Sequence, residues 1–224
     1  MTETFQTTKK IRTAVITGRH PFDVPSFHAL FRGLPDIDPY IQPLEDFASD
    51  AGKVRKDYDA VVFYNFHKET PDTTEVDWWA QGIQQAIEEL GDTAQGVVVL
   101  HHAILAFPEW QPWSDVCGIQ GRSFGYHVGQ TIRVEIADND HPITKGLEPW
   151  EMMDETYTMD DPGKGSEPLL TADHPKSMKT IAWTRQHKNA RVFCLQSGHD
   201  NDTFVDPNFR EVLARGIQWV AQRL

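Results

Sequence analysis

The sequence predicts an α/β fold: a doubly wound, mostly parallel sheet flanked by helices. Three observations carry this expectation. Short β-branched apolar runs alternate with amphipathic segments along the 224 residues, one run is apolar at every position, and four runs are followed by histidine. The four are Ala14-Val15-Ile16-Thr17 ahead of His20, Val61-Val62-Phe63-Tyr64 ahead of His67, Val97-Val98-Val99-Leu100 ahead of His101 and His102, and Val192-Phe193-Cys194-Leu195 ahead of His199. In a parallel sheet the carboxyl ends of the strands face one edge, where such folds bind ligands, so these histidines are expected to share a cleft.

Residues 1–10 form a polar tail, and 11–224 read as a single domain because no Gly/Ser-rich or charge-block linker divides them. Residues 11–17 have the pattern of a buried strand closed by a turn at Gly18. Phe27, Leu30, Phe31 and Leu34 then recur at helical spacing until Gly33 and Pro35 stop the run. A weaker strand is expected at 37–44 and a clear buried one at 59–64. Pro71 with Asp72-Thr73-Thr74 opens a helix whose Val76, Trp79, Ile83, Ile87 and Leu90 share one stripe ending at Gly91. Gly96 to Leu100 reads as the central strand, covered on both faces.

The stretch 103–165, rich in Trp, Pro, Gly and His, reads as an insertion around the site, with one alternating strand at Thr131 to Ala137 and no long helix. Short strands follow at 168–172, 179–184 and 190–195, the last two antiparallel across a turn at 186–189. Phe209, Val212, Leu213, Ile217 and Val220 mark the closing helix. The order β, α, β, α, β and then β, α predicts a flavodoxin-like sheet.

Acidic residues outnumber basic ones 33 to 21, a net charge of −12, which argues against binding to nucleic-acid backbones and fits a neutral ligand at least as well as an anionic one. Two cysteines, Cys117 and Cys194, are too few for a disulfide framework. With no signal-peptide pattern and no apolar run of spanning length, the expectation is a cytoplasmic protein without a membrane partner.

Chemistry is expected at several places. His101 and His102 stand where an α/β enzyme mounts a nucleophile or ligand, and Gly198 turns the chain off a strand to set His199 beside Asp200. Glu155, with Asp154 and Tyr157 as neighbours, is a candidate for acid/base work or hydroxyl binding, whereas His141 in Asp138-Asn139-Asp140-His141 reads as a turn. Arg19 and His20 follow the first strand at the ligand edge. These residues define catalytic candidates His101, His102, His199 and Glu155, and substrate-binding candidates Arg19, His20, His127, Asp154, Tyr157 and Asp200. His20, His101 or His102, His127, His199 and Glu155 offer ligand types for zinc or iron, and His20, His101 and His199 are the candidate ligands for a divalent metal such as zinc. No G-x-G-x-x-G or P-loop pattern occurs, so no nucleotide cofactor is indicated. Four tryptophans, Trp110, Trp113, Trp150 and Trp183, offer flat faces to sugar rings or anchors for loops.

In chain order, Gly18-Arg19-His20-Pro21-Phe22, the strand ending in His101-His102, the series Trp110, Gly121, Phe124 and His127, His141-Pro142-Ile143, Asp154-Glu155-Thr156-Tyr157, Ile181-Ala182-Trp183 and Ser197-Gly198-His199-Asp200 resemble the trehalose-utilisation (ThuA-like) family over residues 11–222. The resemblance implies a fold related to class I glutamine amidotransferases and a role in bacterial sugar metabolism, with a small sugar as ligand and a homodimer as candidate assembly. The strand ending at His101 resembles the one that carries the amidotransferases' catalytic cysteine, and Leu195 to His199 resembles the segment with their catalytic histidine. Histidine replaces the thiol, so glutamine amide transfer, which needs a thiolate, is not expected. The expected activity is hydrolysis, isomerisation or elimination on a sugar or keto-sugar by His/Glu acid-base chemistry. The alternative is a sugar-binding or regulatory module on the same scaffold, and a metal-dependent hydrolase is a third reading.

Overall fold

A computed structural model describes residues 9–71 and 78–224. One nine-stranded sheet runs through them in the order β2-β1-β3-β4-β9-β8-β7-β5-β6, built from β1 (Ile11–Thr17), β2 (Ile37–Pro43), β3 (Ala60–Phe63), β4 (Gly96–Leu100), β5 (Gly125–Ile136), β6 (Trp150–Thr158), β7 (Ser166–Ala172), β8 (Thr180–His187) and β9 (Ala190–Leu195). The pairings β2-β1-β3-β4-β9 are parallel, and from β9 onward every pairing is antiparallel. Apart from the edge strand β2, the parallel strands are buried along almost their whole length, β3 and β4 completely, as expected of strands covered on both faces.

The covering helices follow from local sequence. Helix α1 (Val24–Arg32) starts where Asp23 accepts the Ser26 N–H at 3.1 Å, with a proline in its first turn, and it buries Phe27, Leu30 and Phe31. A short α2 (Leu44–Ser49) precedes β3, and α3 (Trp78–Glu88) precedes β4. The expected start of α3 at Asp72 to Val76, and the place of Trp79 on its stripe, fall outside the described residues. Helices α4 (Gln111–Cys117) and α5 (Asn201–Phe204) are short, and α6 (Pro207–Val220) opens with Asp206 accepting the Phe209 N–H at 2.7 Å. Helix α6 lies directly on β4, where a Cβ on Gly96 would stand 2.5 Å from the Val220 carbonyl, so only glycine permits the approach.

Two expectations about 103–165 need correction. The strand expected at Thr131 to Ala137 is the second half of the 12-residue β5, and the stretch holds a whole strand, β6, with Asp154, Glu155 and Tyr157 on it. Strand β6 lacks the alternation that marks a half-buried strand, because Asp154 to Tyr157 are all buried. That burial comes from a curl in the sheet. Although β6 ends the sheet four places from β9, Gly198 and His199, just past β9, donate their N–H groups to Asp154 at 2.9 and 3.0 Å. The antiparallel half therefore folds back over the carboxyl ends of the parallel half.

Candidate active site

His101 follows β4 directly and is buried, with a left-handed φ of 52° that a non-glycine residue adopts at a cost of about 1–3 kcal/mol. Its Nδ1 lies 2.7 Å from the Gln196 carbonyl, which can only accept, so Nδ1 carries a hydrogen and Nε2 is the ring nitrogen turned to the cleft. That Nε2 is 3.2 Å from Glu155 Oε2 and 3.3 Å from His199 Nδ1, and Glu155 Oε2 is 3.3 Å from His199 Nδ1. Three donor atoms thus form a nearly equilateral triangle. The Tyr157 hydroxyl adds a contact at 2.8 Å to His101 Nε2, and burial first, then the Glu155 charge, holds this phenol protonated by raising its pKa far above the ordinary value.

Each corner is fixed from behind. Gly198, at φ 128° in glycine's territory, turns the chain after β9 so that His199 faces back toward β4. Asp154 clamps that turn to β6: its Oδ1 accepts the N–H of its neighbour Glu155 at 2.8 Å and of His199 at 3.0 Å, its Oδ2 that of Gly198 at 2.9 Å. The Tyr64 hydroxyl donates to the Gly198 carbonyl at 3.0 Å, and the Gln196 side-chain amide donates to the Glu155 carbonyl at 2.8 Å. Strand β5 opposes Glu155 with a bulge, since His127 pairs with Thr156 and Gln130 with Asp154, leaving Val128 and Gly129 across from one residue.

The electrostatics make Glu155 and His199 a charged pair. Burial by itself would raise the Glu155 carboxyl, but hydrogen bonds and charge from His101 and His199 outweigh it and hold the group well below the usual carboxylate range. The same bond to Glu155 raises His199 against the opposing effect of its burial. His20 and His102 shift the other way, lowered first by burial and next by the charge of His101.

The remaining candidates divide clearly. His101, His199, Glu155 and Tyr157 converge as expected. Among the described residues the converging donors are His101, Glu155 and His199, so Glu155 replaces His20 in the expected metal set. His20 instead stacks on His102 with ring centroids 4.2 Å apart, and His102 turns its Nε2 to the Tyr64 carbonyl at 2.9 Å. His102 is therefore set beside the triangle rather than in it. Asp154 spends its two oxygens on three backbone N–H groups. Asp200 is exposed and caps α5 by accepting the Asp202 N–H at 3.0 Å, and Arg19 is an exposed side chain 3.9 Å from Glu45. His127 lies half-exposed beside the bulge. His67 departs from the common cleft: Asn65 donates to its Nδ1 at 3.2 Å, and its Nε2 faces Glu45 at 3.3 Å.

Tyr64, Asn65, Gln196 and Ser197 escaped the sequence reading as site residues. Their signal was the one that marked His101, a polar side chain directly after a buried apolar run. Trp113 and Trp183 are buried loop anchors whose indole N–H groups donate to the Ala103 and Cys117 carbonyls, each at 2.9 Å, and neither is free to face a sugar. Cys117 and Cys194 are buried, which pushes the Cys117 thiol up to about 12 and the Cys194 thiol up as well, so neither supplies a thiolate.

Comparison with known proteins agrees with this architecture. A ThuA-like protein from Parabacteroides merdae superposes with a TM-score of 0.74 at 21% identity, covering 95% of this chain and 90% of its own. A ThuA-like protein from Bacteroides uniformis gives 0.72 at 18% identity, with 98% and 95% covered. A glutamine amidotransferase from Thermotoga maritima shares the fold at a TM-score of 0.53 and 10% identity, covering 94% of this chain and 98% of its own. No curated protein sequence matches the chain. Among the described residues no helix is long and apolar enough to cross a membrane. The family model described as trehalose utilisation matches residues 46–220, more than three quarters of the sequence, and the chain belongs to the ThuA family.

Proposed function

We propose that the chain is an enzyme acting on a sugar or keto-sugar of trehalose or related disaccharide utilisation, with His101, Glu155 and His199 as its centre. The observation that carries this is the triangle of donor atoms 3.2–3.3 Å on a side at the ligand edge of the sheet. Zinc bound to nitrogen and oxygen at about 2.0–2.1 Å in tetrahedral geometry has ligand–ligand edges of about 3.3 Å, so these residues match a divalent cation with one position open to substrate. The Nδ1–H of His101 bonded to a backbone carbonyl is the outer-shell contact that fixes a metal-binding imidazole.

When bound by these three residues, such a cation would supply polarisation of a carbonyl or hydroxyl oxygen. The chain's own groups handle the proton. Without a cation, Glu155 is held ionised and His199 protonated into a higher pH range, so this pair takes and returns a proton on the carbon next to the substrate oxygen, whereas with a cation in the triangle both would serve as ligands. The Tyr157 hydroxyl, kept neutral by burial, donates to the same centre.

The test is elemental analysis of the purified, tag-free protein by inductively coupled plasma mass spectrometry, joined to turnover assays on trehalose and its keto derivative. Near-stoichiometric metal that disappears with turnover in His101→Ala and His199→Ala supports the proposal. Turnover without metal shifts the chemistry to the His199–Glu155 proton pair alone. Intact turnover when His101→Ala and His199→Ala are combined overturns it, and sugar binding without conversion by the wild type marks a binding or regulatory module instead.

A further inference from the structure

Several buried polar atoms without a hydrogen-bond partner among the described residues belong to residues just past the carboxyl ends of the parallel strands. His20 Nδ1 follows β1, Asn65 Oδ1 follows β3, His102 Nδ1 follows β4, and Gln196 Oε1 and Ser197 Oγ follow β9. These are adjacent strands of the sheet, so five of the eight such atoms share its carboxyl edge. Native proteins leave few buried polar groups unpaired, and a concentration of them at one edge marks a place where a ligand or water completes the bonding.

The bonding of three of these residues fixes the chemistry of the atoms left over. His102 Nε2 faces the Tyr64 carbonyl, which only accepts, so the hydrogen of the neutral ring sits on Nε2 and Nδ1 is a lone pair. The Gln196 amide nitrogen donates to the Glu155 carbonyl, so its oxygen is the unpaired end. Asn65 donates to His67 Nδ1, whose other ring nitrogen faces the Glu45 carboxylate, so again the oxygen is left. All three atoms are acceptors, and their missing partners are donors. A phosphate or carboxylate at neutral pH brings acceptors. Furthermore, among the described residues no lysine or arginine bonds to the triangle, residues 72–81 contain neither, and the chain carries a net charge of −12.

We propose that His102 Nδ1, Gln196 Oε1 and Asn65 Oδ1 form a hydroxyl-recognition row that takes an uncharged, polyhydroxylated sugar beside the His101–Glu155–His199 centre and discriminates against its phosphorylated or carboxylated forms. This deepens the carbohydrate reading above and rests on it. The stacked ring of His20 covers His102, so a ligand reaching His102 Nδ1 meets His20 first.

The experiment is histidine side-chain nitrogen NMR on the full-length labelled protein, with trehalose, its keto derivative, trehalose 6-phosphate and gluconate as probes. The expected result is His102 as the Nε2–H tautomer, an unprotonated Nδ1 that shifts on saturation with a neutral disaccharide, and no shift with either anionic probe. Gln196→Met is expected to weaken neutral-disaccharide binding about tenfold, the equivalent of one hydrogen bond to a buried acceptor. An Nδ1–H tautomer at His102, or an equal shift from the anionic probes, overturns the row even if Gln196→Met fails to fold. Turnover of the keto-sugar with an unmoved His102 also overturns it, leaving water as the partner of these acceptors while sparing the centre. Neither binding nor turnover with any neutral sugar overturns both.

Discussion

Replacing Asp154 by asparagine tests whether the centre is held together by its clamp. The aspartate accepts three backbone N–H groups, from Glu155 and His199 on Oδ1 and from Gly198 on Oδ2. Asparagine keeps the shape but has one acceptor. With its oxygen in place of Oδ1 it retains two bonds and turns an NH2 group toward the Gly198 N–H; reversed, it retains one. The less costly orientation loses a charge-assisted bond of about 1.5–3 kcal/mol and leaves a buried donor facing a donor. Removing a carboxyl whose pKa burial has raised recovers part of this, which brings the net to about 2 kcal/mol. If that loss falls on the turn at Gly198, the population with His199 in place drops about 30-fold. Urea unfolding of Asp154→Asn should show the loss, and in chelator-treated protein the His199 titration should fall back toward the ordinary histidine value of 6.5, since its bond to Glu155 is the main cause of its raised pKa. An unfolding free energy within about 0.5 kcal/mol of wild type together with an unmoved His199 titration would refute the clamp.

Other consequences are open to measurement. Gly96→Ala drives a methyl into the Val220 backbone of α6 and should cost about 2–4 kcal/mol by thermal or chemical unfolding while leaving the triangle's own residues untouched. Glu155→Gln should abolish stoichiometric metal binding in elemental analysis, because the amide removes the only charged donor from a set otherwise made of two neutral imidazoles. Stability should fall as pH drops below 6.5. His67 and His141 are both lowered by burial, and each uses a ring lone pair, His67 Nδ1 to accept from Asn65 and His141 Nδ1 to accept from the Ile143 N–H. The unfolded chain therefore takes up these protons before the folded one does, and stability declines from 6.5 down through the lowered folded values. His67→Gln should flatten that slope in unfolding experiments run across the same range.

How far the sequence reveals these features depends on what buries each strand. Strands β1, β3, β4 and β9 are enclosed by helices and stand out as apolar runs with bounds close to those expected, and α1 and α6 show their stripes and stops. Strand β6 does not, because its Asp154-Glu155-Thr156-Tyr157 is buried by the curl of its own sheet and its inward residues are the polar groups of the centre. No periodicity announces such a strand. The gathering of His101 and His199 was legible from strand ends alone, whereas the exit of His67 was not, since it depends on Glu45 in the first turn of the preceding short helix α2. The exchange of His20 for Glu155 among the converging donors has the same origin: Glu155 arrives through the curl, which no local pattern encodes.

That curl makes the centre a late product of chain assembly. His101 meets Tyr157 across 56 residues and His199 across 98, and Glu155 reaches both histidines only after β5 to β8 have paired in register. Contacts of such long sequence separation close after local helices and neighbouring strands have formed. Helical signal on refolding is thus a poor proxy for a finished centre. A chain caught with its parallel half complete and β5 to β8 unpaired would already carry its helical signal, yet would hold two histidines with no carboxylate between them.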